Sequence, residues 1–235
     1  MPIKKRGVNM KEKNTRLFIK VPRGIIESFK DSWIGVIVYL AIAISYGLNH
    51  RAVFTLEHFA EFANKSASPF TKKLLINSLT ELQNQNRIDF SVNNNLFTVN
   101  VLDDFNECET FAKIYTDEIY MLHQEPYNKK TYKLLYMLAY LRLNMNDKGL
   151  FYRTYTKIAK SLNISGENVS RLCRTLQDLN IISIKLVDNG KQPDHTYKSN
   201  AKFEIFADKS NPAWQTNLKK LENQLANGIN DNDLW

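Results

Sequence analysis

The stretch at 154–186, TYTKIAKSLNISGENVSRLCRTLQDLNIISIKL, decides the fold class. Thr154 is a typical N-cap for a short amphipathic helix that ends at Leu162. After a three-residue turn, apolar residues at helical spacing predict a second helix from Gly166 to Leu179. A β-rich run then begins, and it returns at 201–206 beyond a polar loop. The stretch therefore predicts a helix pair followed by a β-hairpin.

An earlier part of the chain repeats this order of elements. A long apolar helix is predicted from Ile34 to Asn49, although its β-branched residues would also suit a strand. Thr55 then caps a short amphipathic helix, and Ser68-Pro69 opens another with a capping hydroxyl and a proline at the first helical position. The alternating runs 88–92 and 96–101 predict a hairpin around three asparagines.

The two copies align in sequence as well as in element order. Thr55 corresponds to Thr154, and Asn86 corresponds to Asn180. Tyr132 to Leu143 supplies the later copy with its own first helix. Three helices and a hairpin make the winged-helix arrangement, in which the third helix enters a major groove and the hairpin contacts the neighbouring backbone. We therefore predict a mainly α, α+β protein with two tandem winged-helix domains joined by a helical linker.

The chain divides into five predicted segments. These are a basic N-terminal arm (1–16), a first winged-helix domain (17–101), an acidic helical linker (102–128), a second winged-helix domain (129–206) and a C-terminal helix and tail (207–235). Apolar residues at helical spacing predict that the linker is a helix from Asp104 to His123. Those residues are Phe111, Ile114, Tyr115, Ile119 and Leu122. Such a helix would fix the angle between the domains or serve dimerisation.

Charge is distributed unevenly along the 235 residues, whose net charge is +8. The second domain holds fourteen Lys and Arg against six Asp and Glu, whereas the arm has a net charge of +5 and the linker −6. A basic domain favours a polyanion such as nucleic acid, from which the acidic linker should turn away. With 43% hydrophobic and 24% charged residues, the chain can bury a core and is not a disordered tail.

Outward positions of the third helices supply candidate DNA contacts, and in the second domain so do the preceding helix and the wing. Arg pairs with guanine and Asn with adenine in the major groove, while lysines hold phosphates. The candidates of the second domain are Lys157, Lys160, Glu167, Asn168, Ser170, Arg171, Arg174, Lys185, Lys191, His195 and Lys198. The first domain offers Ser68, Thr71, Lys72, Lys73 and Asn77. Because the net charge of 17–101 is only +2, dimerisation is an alternative role for the first domain.

Several function classes lack their sequence signals. The four histidines have no His-x-x-x-His spacing, the two cysteines form no Cys-x-x-Cys pair, and neither a Gly-rich phosphate loop nor Gly-x-Ser-x-Gly occurs. We therefore expect no enzyme, no metal site and no cofactor. The longest apolar run, 33–46, is shorter than the roughly 18 residues that a membrane span needs. Without a secretory signal, the expected location is the cytoplasm.

The opening of the chain adds a family resemblance. Phe18-Ile19-Lys20-Val21-Pro22, Ile25-Ile26 and the run from Ser32 to Leu40 resemble the start of winged-helix replication proteins of phages and plasmids of low-GC bacteria, including replisome organisers of the DnaD type. The tandem arrangement over 17–206 resembles the paired winged-helix initiators of theta-replicating plasmids. The resemblance implies that both domains bind repeated origin sequences and that one domain also mediates dimerisation. The chain has no clear DnaD-like C-terminal helical domain after residue 206.

These observations predict a sequence-specific double-stranded DNA-binding protein, with a replication initiator or organiser of a plasmid, phage or other mobile element as the chief hypothesis. A winged-helix transcriptional repressor would need the same groove-reading surface. A scaffold that binds proteins rather than DNA is a third hypothesis, against which the charge of the second domain argues. The expected partners are origin or operator repeats in double-stranded DNA, a second copy of the chain in a homodimer, and host replication proteins.

Overall fold

The structure is a computed structural model that describes residues 17–45, 50–102, 110–124, 130–146, 150–187 and 202–206. Its described elements are, in chain order, β1 (Phe18–Pro22), α1 (Arg23–Ser28), α2 (Ile34–Ser45), β2 (Arg51–Thr55), α3 (Leu56–Phe62), α4 (Pro69–Asn84), β3 (Ile88–Asn93), β4 (Leu96–Val101), β5 (Phe111–Tyr115), α5 (Thr116–His123), α6 (Thr131–Leu143), β6 (Leu150–Arg153), α7 (Tyr155–Leu162), α8 (Gly166–Asp178), β7 (Ser183–Val187) and β8 (Lys202–Phe206). The architecture is therefore α+β. The predicted arm and the predicted C-terminal helix lie outside the described residues.

The same order of elements occurs twice. We call α2, β2, α3, α4, β3 and β4 the first unit, and α6, β6, α7, α8, β7 and β8 the second unit. Each unit contains an antiparallel three-stranded sheet, ordered β2-β4-β3 in the first and β6-β8-β7 in the second. The sequence predicted the two hairpins but missed β2 and β6. Each of these strands leads directly into the helix pair. Its partner strand, β4 or β8, follows only after that pair in the chain, so no local sequence signal marks the pairing.

Helix starts repeat between the units. The hydroxyl oxygens of Thr55 and Thr154 each accept the backbone N–H three residues later, at 3.2 Å. Ser68 and Ser165 do the same at the starts of α4 and α8, also at 3.2 Å. Each bond satisfies a helix N–H that has no partner within the helix. The predicted caps at Thr55, Ser68 and Thr154 are confirmed.

Helix ends repeat as well. Asn64 and Asn163 follow α3 and α7 with φ angles of 48° and 51°, and Asn86 and Asn180 follow α4 and α8 with 56° and 53°. Asparagine tolerates this left-handed conformation better than most residues. The backbone N–H groups of Asn86 and Asn180 donate to Gln83 and Gln177 at 2.8 and 2.7 Å. The alignment made in sequence therefore corresponds to equivalent backbone geometry.

The core joins the two units through their first helices. All residues of α2 from Ile34 to Ile42 are buried, and so are nearly all residues of α6. A helix that is apolar on every side belongs in a protein interior. Helix α2 packs against α4 and α6, while α6 packs against α8. The buried side chains form one continuous cluster. Of the two structures that the sequence allowed for this segment, helix and strand, the helix is the one that forms.

One glycine permits close packing within that core. Gly35 lies in the first turn of α2, and the buried Phe29 ring packs against it. A Cβ at position 35 would lie 2.0 Å from Cδ1 of Phe29, much nearer than two carbon atoms can approach. Because Gly35 has no side chain, the turn after α1 can pack closely against α2.

The linker corrects the sequence prediction. Residues 111–115 are a strand and not the first part of a helix, and among the described linker residues the helix is confined to 116–123. Strand β5 pairs antiparallel with β1, so that Phe18 is opposite Tyr115 and Pro22 is opposite Phe111. Short apolar runs fit helix and strand patterns equally well, and here the distant β1 supplies backbone partners that the sequence pattern does not reveal. The predicted helix start at Asp104 lies outside the described residues.

A buried ion pair fastens this linker to the second unit. Glu118 and Arg142 are both fully buried, and the guanidinium of Arg142 donates to the two carboxylate oxygens at 2.6 and 2.7 Å. Arg142 also donates to the carbonyl oxygen of Lys113 at 2.7 Å, and Glu118 accepts the backbone N–H of Tyr115 at 3.2 Å. Bidentate geometry with further hydrogen bonds is what a buried charge pair requires. The pair therefore holds β5 and α5 against α6.

Candidate nucleic-acid interface

Helix α8 separates an apolar face from a polar face. Its buried side chains are Val169, Leu172, Cys173 and Leu176. The opposite face exposes four of the predicted DNA contacts: Glu167, Asn168, Arg171 and Arg174. Ser170, also predicted, is half-buried at the edge of that face. A capped helix that presents Arg and Asn from its first two turns has the residue types that hydrogen-bond guanine and adenine in a major groove.

One of these arginines is engaged in a weak surface pair. Arg171 donates to Glu167 at 2.9 Å, and the two side chains are 55% and 83% exposed. An exposed pair four residues apart on a helix stabilises by only about 0.3–0.5 kcal/mol. The guanidinium can therefore exchange this carboxylate for a base edge or a phosphate at little cost.

Basic residues flank α8 on the neighbouring helix. Lys157 and Lys160 are exposed on α7, which packs against α8. The sequence assigns them phosphate contacts, which position a protein on DNA without reading its sequence, and that role stays a prediction. Lys185 lies on β7. The remaining predicted contacts of this domain, Lys191, His195 and Lys198, lie outside the described residues.

The first unit distributes its predicted contacts differently. Lys73 and Asn77 are exposed on α4. Ser68 is the cap of α4, and its hydroxyl also lies 3.2 Å from that of Thr71. Thr71 is only 2% exposed, so the structure buries a side chain that the sequence prediction placed on the outward face. The reason is that Thr71 falls one turn before Leu75 and shares its buried side of the helix.

Lys72 is tied to the hairpin turn of the first unit. Its ammonium donates to the carbonyl oxygen of Asn94 at 2.8 Å and to the side-chain oxygen of Asn95 at 3.1 Å. The amide of Asn95 in turn donates to Glu57 at 3.5 Å. Hydrogen bonds from its own backbone and from Thr55 lower the pKa of Glu57. The turn between β3 and β4 is therefore held against α3 and α4.

A cleft of about 550 Å³ lies between the two units. The first turns of α2, α4, α6 and α8 all line it, and so do the turns before α4 and α8. Its charged lining residues are Lys30, Asp31, Lys65 and Lys133, and its aromatic ones are Trp33, Phe70 and Tyr132. The sequence prediction missed this cleft, because it depends on how the two units pack. Phe70 is the one lining residue that the sequence could have pointed to, because it is an aromatic residue outside the apolar face of Leu75, Leu79 and Leu82.

The buried thiol of Cys173 and the half-buried phenol of Tyr155 are both held in their neutral forms. Burial raises the pKa of the Cys173 thiol to about 12. Burial also raises the pKa of the Tyr155 phenol, to which the nearby Cys173 adds a smaller contribution. Within the described ranges, no cluster of three or more His, Cys, Asp or Glu residues could hold a metal ion, and no helix has the length and apolar character to cross a bilayer.

Comparisons with known proteins add little. No protein-family model matches the chain, and no curated protein matches its sequence. Among solved structures, the chain is similar to domains 2-3 of RctB, with a TM-score of 0.40 and 9% sequence identity over 84% of this chain and 94% of that one. At this level of likeness, function has to be inferred from the chain's own residues.

Proposed function

We propose that each unit is a winged helix and that the chain binds double-stranded DNA in a sequence-specific manner. The observation that carries the proposal is the exposed face of α8, where Asn168, Arg171 and Arg174 stand opposite a fully buried apolar face. In a winged helix this third helix enters the major groove, and a hairpin contacts the adjacent backbone. The repeated caps, helix pair and three-stranded sheet give both units the framework for this arrangement.

Charge supports nucleic acid as the partner. The segment 129–206 carries a net charge of +8, and Lys157 and Lys160 are exposed beside α8. Lysines at this position would neutralise phosphates, and the released counterions would make binding strongly dependent on salt. The proposed activity is binding alone, without a chemical step performed by this chain.

Within DNA binding, we favour replication of a plasmid, phage or other mobile element over transcriptional repression. The sequence of β1 and α1, FIKVPRGII, supports this choice through its resemblance to winged-helix replication proteins. A tandem initiator would bind several regularly spaced repeats at an origin, whereas a repressor would bind a palindrome over a promoter. A homodimer and contacts with host replication proteins remain part of the proposal.

Charge reversal on α8 tests the DNA-binding proposal. We expect the double variant Arg171→Glu/Arg174→Glu to lose sequence-specific binding to a duplex site selected from a random library, as measured by fluorescence anisotropy. Each bidentate contact contributes about 1–3 kcal/mol of discrimination. Arg23→Glu is the control for reversal of one exposed arginine, because Arg23 also pairs with a Glu four residues away, on α1. Unchanged binding by the double variant would show that α8 does not read the DNA.

A further inference from the structure

The cleft between the units combines basic side chains, helix N-termini and aromatic rings. Lys30, Lys65 and Lys133 bring three positive charges to it, against the single carboxylate of Asp31. The N-terminal turns of α2, α4, α6 and α8, each a helix of at least twelve residues, add the positive ends of their dipoles. The cleft is therefore strongly favourable for an anion.

Aromatic rings accompany those charges. Phe70 is 68% exposed at the rim of the cleft. Tyr132 lies below the ammonium groups of Lys65 and Lys133, which are 4.6 and 5.8 Å from its ring centroid. Trp33 stacks on Tyr136, with ring centroids 4.8 Å apart and planes 7° apart. An exposed ring among lysines offers a stacking platform beside phosphate-binding groups.

The size of the cleft restricts the ligand. Its volume of about 550 Å³ is within the range of roughly 300–1,000 Å³ that small-molecule sites occupy. A base with its phosphates fits a site of this volume. Since the cleft is open rather than enclosed, a strand can pass across it.

We propose that this cleft binds a segment of single-stranded DNA, with a base stacked on Phe70 and the flanking phosphates held by Lys65, Lys133 and Lys30. Single strands are bound elsewhere by this combination of a basic groove and exposed rings, with little sequence preference. Asn168 lines both this cleft and the exposed face of α8. The site is separate from duplex binding by Arg171 and Arg174, so the two proposals can fail independently.

The test measures the affinity of the full chain for a fluorescently labelled oligo-dT of twelve nucleotides, by fluorescence anisotropy. We expect Phe70→Ala to weaken binding at least fivefold, since stacking on one base typically contributes that much or more. Tyr120→Ala is the matched control, because Tyr120 is an equally exposed ring, 70% exposed, on α5. Its binding should equal that of the unchanged chain.

Salt dependence tests the lysines. The double variant Lys65→Gln/Lys133→Gln should reduce the slope of log affinity against log salt by about 1.4, the value for two phosphate contacts to a single strand. Lys113→Gln removes a single charge, from β5, and should leave the slope nearly unchanged. Circular dichroism spectra that match the parent chain would show that the variants fold.

Any of four results would overturn the assignment. The first is an unchanged chain that does not bind oligo-dT, and the second is equal binding by the Phe70→Ala and Tyr120→Ala variants. The third is competition by free dTMP at the same concentration as the oligonucleotide, which would make the cleft a mononucleotide site. If Arg171→Glu/Arg174→Glu lost oligo-dT binding while Phe70→Ala kept it, the strand would bind on α8 instead.

Discussion

The first and second units share a backbone plan but present different surfaces. Each begins α3 or α7 with a threonine cap, begins the next helix with a serine cap and ends both helices with asparagines in the left-handed conformation. The exposed side of α8, however, carries two arginines and an asparagine, while α4 carries Phe70 at its start and commits Lys72 to its own hairpin. Caps and turn residues therefore fix the fold, and the outward positions remain available for different partners.

The units also differ in how they are anchored. Helix α2 contains no charged residue, whereas α6 contains Arg142, whose fully buried guanidinium binds Glu118 of the linker. The first unit is consequently held by apolar packing around α2 with one neutral hydrogen bond, from the Tyr39 hydroxyl to the carbonyl oxygen of Lys20 at 2.9 Å, and the second by packing together with a buried ion pair. Variants that change one anchor and leave the other intact can separate the two contributions.

The largest effect is expected at the buried ion pair. Glu118→Gln leaves the Arg142 guanidinium buried without its counter-charge, which should lower the free energy of unfolding by about 3–5 kcal/mol. Urea denaturation followed by circular dichroism measures this value. Glu27→Gln, at an exposed pair with Arg23, is the control and should change it by less than about 1 kcal/mol. Equal effects at both sites would mean that the buried pair does not anchor the linker.

A smaller loss is expected from Gly35→Ala in the anchor of the first unit. The added methyl group would collide with the ring of Phe29, so repacking should cost about 1–3 kcal/mol of unfolding free energy. Gly166→Ala is the matched control, because nothing lies within 4 Å of a Cβ at the start of α8. The control should be neutral or slightly stabilising in the same denaturation experiment. A Gly35→Ala variant as stable as the control would contradict the close packing of Phe29.

Equal losses are expected from removing equivalent caps. Ser68→Ala and Ser165→Ala each delete one hydroxyl that accepts a helix N–H, which should cost about 1 kcal/mol in either unit. Replacement of either serine by threonine, which keeps the acceptor, should restore most of the stability. A difference of more than about 1 kcal/mol between the two alanine variants would show that the units are not equivalent at this position.

The smallest effect is expected at the hairpin turn of the first unit. Lys72→Met removes the contacts to Asn94 and Asn95, which should change the global free energy of unfolding by less than about 1 kcal/mol. Amide hydrogen exchange in the turn between β3 and β4 should nevertheless accelerate, because the turn loses its attachment to α4. Lys73→Met, one residue further on and exposed, should leave that exchange rate unchanged.

Local signals in the sequence were sufficient for most of the helices. Ser68-Pro69 predicts the start of α4 because a capping hydroxyl and a ring-fixed φ act within one turn of the chain. Thr55 and Thr154 do so for α3 and α7. Thr71 shows the limit of such reasoning. The apolar positions Leu75, Leu79 and Leu82 did not reveal that a polar side chain in the first turn of α4 is buried as well.

Features made by distant residues were not predictable. Strand β5 pairs with β1, which lies about ninety residues earlier in the chain. The apolar residues of β5 are spaced in a way that also fits a helix. Strands β2 and β6 depend in the same way on partners beyond a helix pair. The cleft beside Phe70 arises only when α2 and α6 pack together and bring four helix starts to one place. No short stretch of sequence contains that information.

The most direct test of DNA binding is a hydroxyl-radical footprint on the DNA that flanks this protein's gene, recorded at several salt concentrations. The unchanged chain should protect regularly spaced repeats, and the protection should weaken steeply as salt increases. The Arg171→Glu/Arg174→Glu variant should protect none of them. Absence of protection by the unchanged chain at every salt concentration, or full protection by the variant, would contradict the proposal that α8 reads duplex DNA.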